Sequence, residues 1–306
     1  MTRRRFLTIS AAVAGVGLGG GAASASARWT GRAMGAATSM QLAGFSDAEA
    51  RPVFRAVERE LARLERIFSL YRSDSQLVQL NRSAVLMAPA PEMLELLSLC
   101  GRLHNASAGA FDPTLQPLWQ LYAASVSEDA APAAGALRAA ETLVGWQKVR
   151  YDRNAVRLNP GMALTLNGVA QGYITDRVAA LLRARGLRDV LIDMGEVSAM
   201  GQRADGRDWK AGIALPDGTL VDRVTLRDRA LATSSPQGTV LDAREGVGHI
   251  IDPRRISRRP ERQLISVSAS SAAIADGLST AGCLLSEAEL SNALIVFPGT
   301  TLETII

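Results

Sequence analysis

His249 stands three residues before Asp252 in the run His249-Ile250-Ile251-Asp252-Pro253-Arg254, and Asp276 stands four residues before Thr280 in Ala275-Asp276-Gly277-Leu278-Ser279-Thr280. An imidazole titrates near neutral pH, so His249 suits proton transfer, with a satisfied structural histidine as the other reading of the residue alone. A carboxylate and a hydroxyl four residues apart share one face of a helix. That spacing is compatible with metal binding but too common to establish it, since a hydrated carboxylate and a capping threonine occur at the same distance. Two glycine-bearing runs, Gly109-Ala110-Phe111-Asp112-Pro113-Thr114 and Leu166-Asn167-Gly168-Val169-Ala170-Gln171-Gly172-Tyr173, allow close backbone approach or simply turns. The chain contains neither a Gly-x-Gly-x-x-Gly fingerprint nor a Walker sequence, so a nucleotide would need another kind of cradle. The other histidine, His104, falls near the end of an apolar helical pattern and belongs to no motif.

The elements that must position these residues follow from periodicity. Trp29 to Leu42 reads as an initial strand region with Met34-Gly35-Ala36 as a tight approach. Val53, Val57, Leu61, Leu64 and Phe68 recur at helical spacing, with Glu58, Arg59, Glu60, Arg63 and Glu65 on the other face. A polar segment, 71–81, leads to a second helix that Pro91 opens through Leu94, Leu97 and Leu103. The Ala-rich stretch 123–140, broken by Pro132 and Gly135, predicts a surface loop running into a short helix. Strand and turn material over 156–166 precedes a helix from about Gly172 that Gly186 stops. Short strands are expected at 189–194, 209–215, 219–226, 263–269 and 294–297, with a helix over 272–285. Gly/Asp-rich connections favour an α+β fold with a mixed or antiparallel sheet and packed helices over regular strand-helix units.

The N-terminus indicates where these elements work. Arg3-Arg4-Arg5-Phe6-Leu7, an apolar Gly/Ala-rich stretch to Ala23 and Ala25-Ser26-Ala27 read as an export signal over residues 1–27, of the twin-arginine type. An ordinary secretory signal or an uncleaved membrane tether is the alternative. A twin-arginine exporter carries folded passengers, so a cofactor acquired before export is expected, with residues 28–306 as one periplasmic domain. The whole chain carries 34 Lys plus Arg against 30 Asp plus Glu, and three of the cations are Arg3, Arg4 and Arg5. Without them the balance is 31 to 30, which gives no reason to expect a nucleic-acid partner. Hydrophobic residues make up 47% of the chain, too many for a disordered one, and no later run is long and charge-free enough to cross a bilayer. Cys100 and Cys283 are the only cysteines and both lie in apolar helical patterns, as buried inert thiols do; one bridge between them is also allowed in an oxidising compartment.

Taken in order, Met34-Gly35, Phe68-Ser69-Leu70-Tyr71, Gly109 to Thr114, Leu166 to Tyr173, His249 to Arg254 and Ala275 to Thr280 closely resemble the bacterial flavin transferases (ApbE-like) that move the FMN part of FAD onto a protein. The resemblance covers almost all of residues 28–306. It implies a flavin-transferase-like fold and a magnesium-dependent transfer of FMN from FAD to a Thr or Ser hydroxyl of an exported or membrane protein, with release of AMP. Magnesium prefers oxygen ligands and retains water, so a few protein oxygens suffice. The positions that match the family's motifs make the Asp276 carboxylate, the Thr280 hydroxyl and the Gly168 carbonyl the metal ligands. His249 becomes the group that activates the acceptor hydroxyl. Flavin contacts are implied for Met34, Tyr71, Ala110, Phe111, Asp112, Gln171 and Ile250, with Thr165 near the polar part of the ligand. The form Asn167 to Tyr173 also looks like accessory proteins of nitrous-oxide reductase maturation, with a membrane electron-transfer flavoprotein as acceptor.

Several positions depart from the family pattern. Gln171 stands where Lys or Glu is frequent and Thr165 where Asp is common; Met194-Gly195-Glu196 replaces a Gly-Gly pair, Thr233-Ser234-Ser235 lacks a following Gly, and Arg254-Arg255-Ile256 replaces a Pro-Arg-Thr-Gly turn. These changes leave open a flavin-binding carrier or maturation factor without transfer, and an FAD pyrophosphate hydrolase in which water replaces the protein hydroxyl.

Overall fold

The computed structural model describes residues 26–127, 130–242 and 245–306. The expected export signal lies outside the described residues except for Ser26 and Ala27, which already form part of the first strand.

In chain order the strands and helices are β1 (Ser26–Ala33), β2 (Ala36–Ala43), α1 (Asp47–Phe68), α2 (Gln76–Ser83), β3 (Val85–Met87), α3 (Pro91–Ala106), α4 (Gln116–Ser127), α5 (Ala134–Thr142), β4 (Arg150–Tyr151), β5 (Ala155–Arg157), α6 (Ala170–Ala184), β6 (Val190–Asp193), β7 (Val197–Met200), β8 (Trp209–Ala214), β9 (Leu220–Leu226), β10 (Arg229–Ser234), β11 (Val240–Asp242), β12 (Val247–Gly248), β13 (Ile265–Ala269), α7 (Ala272–Gly282), α8 (Glu287–Ile295) and β14 (Thr301–Ile305). The central sheet has the order β1-β2-β6-β7-β10-β13-β14, and every neighbouring pair in it is antiparallel.

The single strand region expected over Trp29–Leu42 is a hairpin. Met34 and Gly35 both adopt positive φ, 50° and 86°, which is the two-residue turn that matches the twist of antiparallel strands. Met34 pays a conformational cost there, and its amide donates to the Glu65 carboxylate at 2.9 Å, tying the turn to α1. The expected helix over Val53–Phe68 begins earlier, at a capping box in which Ser46 and Glu49 each satisfy the other's backbone amide. Its apolar stripe, Phe54, Val57, Leu61, Leu64 and Phe68, is buried in the main core with α3, α6 and one face of the sheet. The other face is covered by the β8–β9 ribbon, where Trp209, Ala211, Ile213 and Leu226 meet Val197, Ala199 and Leu231. Strands β7 and β13 are therefore buried throughout, which is why they read as short apolar runs without alternation.

Three expectations change. The polar segment after Tyr71 contains α2, capped by Ser75. The first part of the expected Ala-rich loop is the end of α4, whose Leu118 and Tyr122 pack with Leu241, Val247 and Ile251 in a satellite core. The expected strand over 294–297 is the end of α8, a helix opened by a Ser286–Glu289 capping box; the final strand is β14. Cys100 and Cys283 are free and buried, so the bridge allowed by the sequence does not form. Burial pushes the Cys283 thiol up to about 12, as expected of an inert sulfur. No helix among the described residues is long and apolar enough to cross a membrane.

Candidate active site

Helices α6 and α7 create the site by packing unusually closely. A Cβ on Gly172 would overlap the Ala272 carbonyl and backbone, so only glycine lets the two helices meet here. Asp176, one turn further along α6, accepts from Ser271 Oγ (2.6 Å), Ala272 N (2.8 Å) and Ala273 N (3.0 Å), satisfying the N-terminal amides of α7. This lock sets the loop before α6 against α7: a Cβ on Gly168 would lie 3.0 Å from Thr280 Oγ1. Asp276 Oδ2 accepts from the Gly172 amide at 3.2 Å. The three expected metal ligands, Gly168, Asp276 and Thr280, thus meet at one place although more than a hundred residues separate the first from the other two.

They line a cavity of about 200 Å³ together with Ala110, Phe111, Asp112, Thr165, Gln171, His249 and Ile250. Ten of the twelve expected site residues are therefore gathered into one cavity from four separate segments. Met34 and Tyr71 do not line it. They sit together at the β1–β2 turn, where a Cβ on Gly35 would lie 3.6 Å from the Tyr71 ring and Tyr71 itself is 55% exposed.

The loop carrying Asp112 is held from below. Asp112 Oδ1 accepts from Thr114 N (2.8 Å) and Thr114 Oγ1 (2.6 Å), and Oδ2 accepts from Trp146 N (3.0 Å). The carboxylate named among the implied flavin contacts is thus also a structural hub. His104, which sequence reasoning left without a role, donates from Nδ1 to the Phe111 carbonyl at 2.9 Å and packs under Gly109. It is a positioning residue for this loop. Phe111 both lines the cavity and belongs to the main core.

His249 follows β12 and is held by backbone. Its Nδ1 lies 3.2 Å from the Pro236 carbonyl and 3.3 Å from the Thr239 amide nitrogen. Nδ1–H donating to Pro236 leaves the Nε2 lone pair available; Thr239 N–H donating to Nδ1 puts the proton on Nε2. Either tautomer keeps the ring in place and leaves Nε2 as the atom that exchanges a proton. Trp119 Nε1 donates to the His249 carbonyl at 3.0 Å, and its ring stands edge-on to the imidazole. The neighbouring Asp252 is no partner of this histidine. Its carboxylate accepts from Arg254 N and Nε (both 2.9 Å) and from an Arg254 terminal nitrogen (3.0 Å), so that it closes the following turn instead.

The electrostatics of the cavity are one-sided. Burial pushes Asp276 up to about 7, against the Gly172 hydrogen bond, and Asp176 adds to the rise. Glu196, in the turn between β6 and β7, is also buried in the lining; burial and the neighbouring Asp276 and Asp193 carboxylates push it well above the ordinary range. Among the described residues no Lys or Arg lines the cavity. Two buried carboxylic groups with no cationic side chain among the described lining residues are neutral when protonated and ionised when a cation is bound between them. Among the described residues no three His, Cys, Asp or Glu side chains group closely enough to hold a metal alone. A magnesium site needs fewer, because hydroxyl, carbonyl and water oxygens complete it, and Asp276, Thr280 and Gly168 fit that donor set. Sequence reasoning missed Trp119, Ser234 and Glu196. Only Glu196 left a signal, as an acidic residue after a glycine between two apolar runs.

Residues 34–298 match the family model described as the ApbE family. The chain belongs to the ApbE family. It is 31% identical over 284 residues to the FAD:protein FMN transferase of Treponema pallidum, covering 82% of this chain and 76% of that one. It is 27% identical over 256 residues to the enzyme of the same name from Vibrio cholerae, covering 78% and 75%. Among solved structures, the flavin transferase ApbE from Vibrio cholerae superposes with a TM-score of 0.75 at 25% identity over 89% of each chain. The apo flavinyl transferase ApbE from Pseudomonas stutzeri superposes with a TM-score of 0.76 at 28% identity, covering 88% of this chain and 87% of that one. The α+β architecture with its antiparallel sheet is thus that of the ApbE flavin transferases.

Two expected results follow from the geometry of this ApbE-family site. Gly172→Ala forces α6 off α7 because the obstacle is backbone, and is expected to destabilise the protein by about 1–3 kcal/mol or more; Gly135→Ala, with nothing near its Cβ, is the matched control in thermal unfolding. His249 supplies the second. Burial lowers its pKa below 6.5, so the unfolded chain binds a proton that the folded chain resists. The resulting stability is fully present above pH 6.5 and falls as pH drops through the folded value. His249→Gln is expected to flatten this part of the Tm-against-pH curve between about pH 5 and 7, and an unchanged curve would contradict a lowered imidazole pKa in the folded chain.

Proposed function

We propose that the chain transfers FMN from FAD to a Thr or Ser hydroxyl of an exported or membrane protein, releasing AMP, in a magnesium-dependent reaction. The observation that carries this reading is the single cavity into which His249, Asp276, Thr280, Gly168, Gln171 and Asp112 converge. The acceptor oxygen attacks the phosphorus of the FMN half; the new oxygen–phosphorus bond replaces the bond to the bridging pyrophosphate oxygen, which leaves with its electron pair on AMP. Nε2 of His249 takes the hydroxyl proton, and the Pro236 carbonyl and Thr239 amide hold the ring while it does so. Asp276, Thr280 and the Gly168 carbonyl hold magnesium, which when bound offsets pyrophosphate charge and polarises the attacked phosphorus. Phe111, Ile250 and Ile251 give the cavity buried apolar walls beside these polar groups.

Export through the twin-arginine exporter and work in the periplasm, with or without a remaining tether, rest on Arg3–Arg5 and the apolar stretch behind them. The nitrous-oxide reductase accessory role rests only on the form of residues 167–173, with a membrane electron-transfer flavoprotein as its acceptor.

The test incubates the protein, FAD and magnesium with a flavoprotein fragment containing a Thr/Ser acceptor site, and follows acceptor mass and AMP. A gain of one FMN per acceptor with stoichiometric AMP supports the reading. Free FMN without modified acceptor indicates a hydrolase. Bound FAD with neither product, when a known transferase modifies the same acceptor, indicates a carrier.

A further inference from the structure

Glu196 sits at the tip of the β6–β7 hairpin, in the middle of the central sheet, where Met194 N donates to the Glu196 carbonyl at 3.1 Å and Asp193 pairs with Val197. The tip is pressed against α6. Gly195 adopts a φ of 98°, a conformation that favours glycine, and comes so near Gln171 that a Cβ there would lie 2.7 Å from Nε2. The hairpin thereby delivers the Glu196 side chain into the cavity that Asp276, Thr280 and Gly168 line. The residue is 4% exposed, and its Oε2 is buried without a hydrogen-bond partner. A buried carboxylate oxygen left bare costs several kcal/mol unless something binds it. The Asp276 carboxylate bears on it electrostatically, and among the described residues no Lys or Arg lines the cavity to answer either charge.

We propose that Glu196 is a further ligand of the divalent cation, binding it from the β6–β7 hairpin while Asp276 and Thr280 bind it from α7. This rests on the metal reading above and deepens it. With both carboxylates engaged, a divalent cation is balanced by the protein itself before any pyrophosphate arrives. The cation then also ties the sheet to α7, so its loss is expected to loosen the hairpin tip against the helix.

The test is manganese binding to the full protein without FAD, read from the paramagnetic signal of free Mn2+ and from the rise in Tm that the metal causes. Glu196→Gln is expected to weaken Mn2+ binding by about 10–100-fold and to abolish most of the metal-induced rise in Tm. Glu196→Asp, with its shorter reach, should fall between the two. Because Gln removes a buried charge without changing shape, the metal-free variant is expected to melt no lower than the metal-free parent. Should Glu196→Gln fold poorly, Glu196→Asp alone decides, since a carboxylate drawn back by one methylene must lose affinity if it is a ligand. Wild-type Mn2+ affinity in both variants, with binding lost in Asp276→Asn, would overturn the role of Glu196 and leave the metal reading intact. Absence of Mn2+ binding by the parent protein would overturn both.

Discussion

Asp276→Asn is expected to lower FMN transfer by about 10²–10⁴-fold, the cost of removing several kcal/mol of charge stabilisation from the reacting phosphate. The substitution keeps the side chain's size, so α7 should still pack on α6 through Gly172 and Asp176. What changes is charge. Asp276 is the one carboxylate among the three ligands implied by the family motifs, and its backbone bond from Gly172 orients it toward the cavity. An amide in its place remains an oxygen donor but no longer offsets a divalent cation. Steady-state transfer at saturating FAD, with magnesium varied over several decades, separates the two effects. Lost metal affinity moves the magnesium midpoint, whereas lost orientation lowers the plateau. A variant with the parent's midpoint and plateau would remove Asp276 from the site.

His249→Ala is expected to reduce transfer by about 10²–10⁴-fold, the usual worth of a positioned general base, while leaving FAD binding within a few-fold of the parent. The split follows from what the ring touches. Among the described residues its ring contacts the Pro236 carbonyl, the Thr239 amide and the edge of Trp119, and under the proposed reaction Nε2 exchanges the acceptor's proton. Loss of FAD affinity in parallel with rate would instead make the imidazole a flavin contact.

Local signals were legible where one periodicity or one cap decides the outcome. The apolar stripe of α1 recurs at helical spacing because a single face is buried, and Pro91 and Gly186 mark the start of α3 and the stop after α6 for stereochemical reasons. Elements decided by their surroundings were not legible in the same way. Met34 occupies a left-handed position that its residue type disfavours, and the tie from its amide to Glu65 holds it there, so the hairpin was hidden inside one strand region. Leu294 to Phe297 carries strand-forming residues, yet Leu290 and Ala293 face the core at helical spacing and the Ser286–Glu289 box starts a helix that ends at Ile295.

The site divides along the same line. Residue types and their order along the chain nominated His249, Asp276, Thr280, Gly168 and the flavin-side candidates only through the resemblance to the flavin transferases, since a titratable imidazole and an Asp-to-Thr spacing of four are by themselves equally compatible with structural roles. Composition and the spacing of short apolar runs were enough to expect an α+β body with a mixed or antiparallel sheet. Partnership was not in the chain order. Asp252 is near His249 in sequence but spends its carboxylate on Arg254, because Arg254 folds back over it within the same turn. Glu196 is far from Asp276 in sequence, and only the contact of Gly195 with Gln171 and the closeness of α6 to α7 bring the two carboxylates to one cavity. Local chemistry is carried by each residue, whereas burial, charge coupling and convergence depend on which surfaces the packed helices and sheet exclude from water.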